Sequence, residues 1–188
     1  MTESKGLRGP YVWIMAAIVV LDQATKLIVD RMMSLHESHE VIAGFLRLTY
    51  VRNRGAAFGI LSDADLPFQA ALFSVLSLAA LFAIGLYAWR LPAESRLPKT
   101  ALALIMGGAV GNLIDRMRLG YVIDFVDAHW GPHHWPAFNV ADSAITMGVV
   151  LLVLDMLWHP HGATDAPARR VGAERAATGV PAATPGGE

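Results

Sequence analysis

Cysteine is absent from all 188 residues. That excludes a disulfide framework, a thiolate nucleophile and any Cys-bound metal, and it lets either face sit in an oxidising compartment without penalty. Charge is scarce as well. Only 16% of residues are Asp, Glu, Lys or Arg, against about a quarter in ordinary soluble domains. A net charge of −1 gives no reason to expect nucleic acid as a partner. Apolar residues make up 54% of the chain, with a mean hydropathy of +0.43. This is the composition of a membrane protein built as one compact domain.

Four apolar stretches predict four membrane-spanning helices, at about residues 11–30, 67–89, 100–118 and 140–158, each near the roughly 20 residues a bilayer needs. The first follows a basic start with Lys5 and Arg8. A cleaved signal peptide is the alternative there, but no A-x-A-like site follows the apolar core. Asp22 and Lys26 lie four apart in this span, on one helix face where they can pair. In the third span Gly107 and Gly111 form a G-x-x-x-G pair, which lets helices approach closely.

The connections carry their own signals. In 31–66, Leu46, Leu48 and Tyr50 alternate with Arg47, Thr49 and Val51, the period of a half-buried strand. Asn53-Arg54-Gly55 is a turn signal. A short hairpin or small sheet on the membrane surface is expected, with an irregular loop as the alternative. Residues 119–139 form a second long connection, whose Trp130 and Trp135 suit the membrane interface. His129, His133 and His134 lie there without tidy ligand spacing, so a surface loop is expected and no metal. Residues 159–188 are rich in Ala, Pro and Gly and are expected to be a disordered tail.

Four spans put both termini on one side. Arg90, Arg96 and Lys99 in the short 90–99 loop, with the basic residues of the N-terminal segment and the tail, favour cytoplasmic termini. On that topology the polar motifs of the first, third and fourth spans meet at the outer surface. Asn112, Asp115 and Arg116 share one helix face at i, i+3 and i+4, where an Asp-Arg pair can be satisfied internally. Asp124 follows Tyr121-Val-Ile, whose apolar neighbours would desolvate it, and Asp142 falls in the first turn of a helix, which favours an acid. Two close carboxylates cannot both ionise cheaply, so they share a proton and can activate water against a peptide carbonyl. The alternative is that Asp124 and Asp142 are separate caps or interfacial acids. A proton-conducting transporter would need polar residues through the membrane depth, which the second and fourth spans lack. A docking protein without enzymatic activity would survive Asp124→Asn.

The chain resembles the bacterial lipoprotein signal peptidase (signal peptidase II) family over residues 10–158. The motifs that carry the resemblance are Asp22-Gln-Ala-Thr-Lys26, Asn53-Arg-Gly-Ala-Ala-Phe58, Gly107 to Arg116, Val122-Ile-Asp-Phe125 and Phe138-Asn-Val-Ala-Asp-Ser143. It implies an all-α polytopic inner-membrane protein with four transmembrane helices, a small extracytoplasmic β-sheet and a flap made by the 119–139 connection. It implies an aspartic endopeptidase with Asp124 and Asp142 as catalytic pair and no cofactor or metal. Asn53, Asn112, Arg116 and Asn139 would hold substrate and shape the site, and Asp22, Lys26 and Asp115 would support it. The substrates would be prolipoproteins carrying diacylglyceryl on the lipobox cysteine, cut just before it at the periplasmic face. Membrane lipids would surround the enzyme, globomycin-like cyclic peptides would inhibit it, and a monomer is expected.

Overall fold

The computed structural model describes residue 7 and residues 9–55 and 68–158. Ala56, Ala57 and Phe58 of the second motif, the first residue of the second predicted span and the predicted tail lie outside the described residues. Along the chain, helix α1 (Pro10–Met32) is followed by strands β1 (Ser38–Ile42) and β2 (Leu46–Asn53), helices α2 (Gln69–Arg90) and α3 (Arg96–Leu119), strands β3 (Val122–Trp130) and β4 (His133–His134), and helix α4 (Val140–Trp158). All four helices are long and apolar enough to cross a membrane.

Helix α3 is the axis of the bundle. Of its most apolar stretch 56% is buried, against 17% for α1 and α4 and none for α2. The glycines explain this. A Cβ on Gly108 would press on Ala141 O and Ile145 Cγ1 of α4, and one on Gly107 would lie 3.1 Å from Ile18 Cβ of α1. With no side chain there, α3 packs closely between α1 and α4. The outward faces keep their large apolar residues exposed, Val20, Leu72, Phe82 and Val153 among them, as a lipid solvent requires.

The all-α expectation needs amending, because the four strands form one antiparallel sheet in the order β1-β2-β3-β4. Nine residues of the predicted 119–139 connection form strand β3. Its Val122-Ile-Asp-Phe-Val126 run is β-branched and aromatic, which suits a pleated, half-buried surface. Helix α3 ends at Gly120, whose φ of 79° is the left-handed C-cap, with its N–H on Arg116 O at 3.1 Å. The reversal at Gly120 and Tyr121 lays β3 against β2, pairing Val51 with Asp124 and Asn53 with Val122. Val29, Tyr50, Ile123 and Phe125 form a buried cluster that seats the sheet on the end of α1.

Candidate active site

The start of α4 shows how local chain chemistry builds the site. Asn139 caps the helix: its Oδ1 accepts from Asp142 N at 3.0 Å, while Asp142 Oδ2 accepts from Asn139 N at 3.3 Å. This reciprocal exchange is a capping box with Asp142 in the first turn. The amide of Asn139 is thereby fixed, and its Nδ2 donates to Asp124 Oδ1 at 2.7 Å. One buried asparagine therefore touches both carboxylates, although β3 and α4 bring them in from different elements.

Each acid has a further partner. Asn53, at the end of β2, donates to Asp124 Oδ2 at 2.9 Å. Asn112, on α3, donates to Asp142 Oδ1 at 2.8 Å. Lys26 Nζ donates to Asn112 Oδ1 at 2.8 Å, which orients that amide. Lys26 also pairs with Asp22 at 2.9 Å and Asp115 at 3.0 Å, and all three side chains are buried. Asp22 Oδ1 accepts from Ala141 N of α4 at 3.0 Å, and Asp115 Oδ2 from Ile123 N of β3 at 3.1 Å. The triad thus ties α1, α3, α4 and β3 together under the two acids.

Asp115 and Arg116 do not pair with each other as their adjacency allowed. Asp115 turns to α1, whereas Arg116 Nη2 donates to Gly55 O at 3.1 Å and its guanidinium lies 5.6 Å from the Phe73 ring centroid. Consecutive helical residues point about 100° apart, so they serve different neighbours. Arg116 Nε is buried without a partner among the described residues.

Sequence reasoning alone misses two residues. Gln23 donates to Asp115 Oδ1 at 2.9 Å and to Gly111 O at 3.2 Å; its place inside the Asp22–Lys26 motif is the available signal. Tyr50 donates to Asp30 at the end of α1 and accepts from Arg52 Nε at 3.0 Å, which pins β2 to that helix.

Both acids line a cavity of about 340 Å³, together with Asn53, Asn112 and Arg116. The remaining wall is nearly all apolar. Phe73, Leu76, Ala80 and Ile84 of α2 face Ile105 and Ala109 of α3, a trough of about three helical turns leading to the polar end. Asp142 also borders a second cavity of about 370 Å³ beside Trp135, Phe138 and Met147. Burial pushes the Asp124 carboxyl up to about 7, and the Asp142 charge adds to this. The hydrogen bonds from Asn53 and Asn139 and the charge of Lys26 oppose it. The site can therefore exchange protons near neutrality.

Four apolar helices and an acid-lined cavity define a multi-pass membrane protein with the makings of an enzyme. In keeping, the chain is similar to two solved bacterial membrane enzymes determined by the in meso method. One, at 2.3 Å, has a TM-score of 0.76 and 32% identity over 89% of this chain and 99% of that one. The other, at 1.9 Å, has a TM-score of 0.73 and 30% identity over 88% and 100%. The family model of signal peptidase (SPase) II matches residues 14–158, and the chain belongs to that family. It is 51% identical to a lipoprotein signal peptidase of Geobacter metallireducens, over 77% of this chain and 88% of that protein. With one from Paraburkholderia phymatum it shares 46% identity over 84% and 93%.

Proposed function

We propose that this chain is a lipoprotein signal peptidase acting as an aspartic endopeptidase, which cuts diacylglyceryl-modified prolipoproteins immediately before the lipid-bearing cysteine. The observation that carries the reading is Asn139, hydrogen-bonded to both Asp124 and Asp142 at the polar end of an apolar cavity.

Asp124 and Asp142 share one proton. The protonated member donates to the scissile carbonyl, and the ionised member takes a proton from water, whose oxygen attacks that carbon. The tetrahedral intermediate then collapses, and the shared proton leaves with the amine of the lipid-bearing cysteine. Asn53, Asn112 and Asn139 hold the acids in register. Arg116, which lines the cavity, holds substrate backbone carbonyls beside them. Asp22, Lys26 and Asp115 keep α1 and α3 in place and stay out of the chemistry. A signal peptide is an apolar helix, and the trough beside α2 offers it an apolar wall.

The domain is residues 1–158. The active site faces the periplasm from the inner membrane, the termini are cytoplasmic, and the enzyme acts as a monomer. The test is cleavage of a lipid-modified precursor by purified wild type, Asp124→Asn and Asp142→Asn, followed by gel mobility. Each substitution is expected to lower the rate by about 10²–10⁴-fold with the protein still inserted. Wild-type cleavage by either variant would overturn the reading. A globomycin-like cyclic peptide is expected to inhibit the wild type.

A further inference from the structure

The hairpin of β3 and β4 holds a cluster that the peptidase reading does not use. Asp127 and His129 are two apart on β3, so they share one face of the strand. His134 is the cross-strand partner of His129 and projects from the same face. Gly131, with φ 56°, sits in the reversal that brings β4 back. One carboxylate oxygen and two ring nitrogens, one from each residue, lie within 4.8 Å of one another. Asp124 is three residues before Asp127, an odd spacing that puts it on the opposite face.

The histidines are not packed like ordinary core residues. His129 is 5% exposed, and its Nδ1 is buried without a partner among the described residues. Buried ring nitrogens are nearly always hydrogen-bonded, so one left over asks for an explanation. The His129 and His134 rings stack with centroids 4.9 Å apart and planes 14° from parallel. His134 Nδ1 lies 2.9 and 3.0 Å from the two Asp127 oxygens.

We propose that Asp127, His129 and His134 form a transition-metal site suited to Zn²⁺. Two imidazole nitrogens are borderline donors and, with one carboxylate oxygen, favour zinc over calcium or magnesium. Three protein ligands leave a fourth position for water. Stacked rings point their in-plane lone pairs side by side. On binding, the exposed His134 ring turns its edge toward His129, and Asp127 exchanges the His134 contact for the metal. The ion then clamps β4 to β3, just ahead of the Trp135–Phe138 run that enters Asn139. Along the chain the set reads 127, 129, 134, an interval pattern that only the hairpin converts into proximity. The proposal does not depend on the peptidase reading.

The test is calorimetric titration of tag-free, full-length protein in detergent with zinc chloride. Saturable binding of one zinc per chain is expected, weakened by more than about tenfold in His134→Ala and in Asp127→Asn. His134 is exposed, so its loss leaves the fold intact even if His129→Ala does not. His133 pairs across the strands with Trp130 and faces away, so His133→Ala is expected to bind like wild type. Co²⁺ is expected to give the visible absorption of a four-coordinate N/O site in wild type and to lose it in His134→Ala. The proposal is overturned if no saturable binding is seen, if His134→Ala binds as tightly as wild type, or if Mg²⁺ binds equally well.

Discussion

An aspartate that is 2% exposed is costly to ionise, and Asp124 carries that cost into the stability of the fold. Its carboxyl is pushed up to about 7 by burial and by Asp142, while the unfolded chain would titrate it near 3.9. The folded state therefore holds the proton more tightly. Between those two values stability falls as pH rises, and the contribution is complete below about pH 4 and lost above about pH 7. The gap between the two values sets a ceiling of about 4 kcal/mol. Asp124→Asn removes the titration but keeps the shape. The melting temperature of the variant relative to wild type is thus expected to be more favourable at pH 8 than at pH 5. Parallel melting curves across that range would show that Asp124 does not carry the effect. Single residues differ in how much of this the sequence shows. The Asp22–Lys26 contact follows from i, i+4 spacing alone, and it is made. The asparagines are different. Nothing in a lone Asn53 or Asn112 shows which carboxylate its amide will reach, because that depends on which strand or helix ends beside it. Spacing places Asn112 on one helix face with Asp115 and Arg116 and Asn53 in a turn, and the family resemblance puts both in the site. Adjacency also misleads, since Asp115 and Arg116 look like a pair in the sequence and serve different neighbours in the fold.

Among the elements, α3 and α4 are locked by missing side chains. A Cβ on Gly108 would meet the backbone oxygen of Ala141 and lie 2.8 Å from Ile145 Cγ1. A backbone atom cannot swing aside, so Gly108→Ala must push α4 away, at a cost of about 1–3 kcal/mol. Ala141 adjoins Asp142, so cleavage is expected to fall along with the melting temperature in detergent. Gly85 of α2 has nothing within 4 Å of its added Cβ, and Gly85→Ala is expected to be neutral or slightly stabilising. Equal effects at the two positions would refute the close-approach argument. The helices are legible in the sequence because hydropathy over about 20 residues is a long-window signal, and β2 because its alternation is local. Strand β3 reads as a connection, although Val122 to Val126 carries strand-forming residues, because its partner β2 is far away along the chain. The two residues of β4 have no signal of their own; they are a strand only because Trp130 and His129 lie opposite.

For the molecule as a whole, the question is where an apolar substrate fits in a bundle whose outer surface is already apolar. Helix α2 packs chiefly on α3 and buries none of its most apolar stretch. One side of it forms the wall of the cavity that ends at Asp124 and Asp142. The other outer helices, α1 and α4, each bury 17% of their most apolar stretch, so the barer α2 reads as room kept for a further helix or acyl chain. Ala80 tests this, because it lines the cavity midway along α2 and is itself exposed. An indole there takes up much of the 340 Å³ without entering the packed contact with α3. Ala80→Trp is therefore expected to raise KM for a lipid-modified precursor by about tenfold or more, with kcat at saturation and the melting temperature little changed. Steady-state cleavage of a fluorogenic lipopeptide measures both constants. An unchanged KM would mean that substrate reaches the acids by another route, and the second cavity beside Trp135 and Phe138 would then be the place to obstruct.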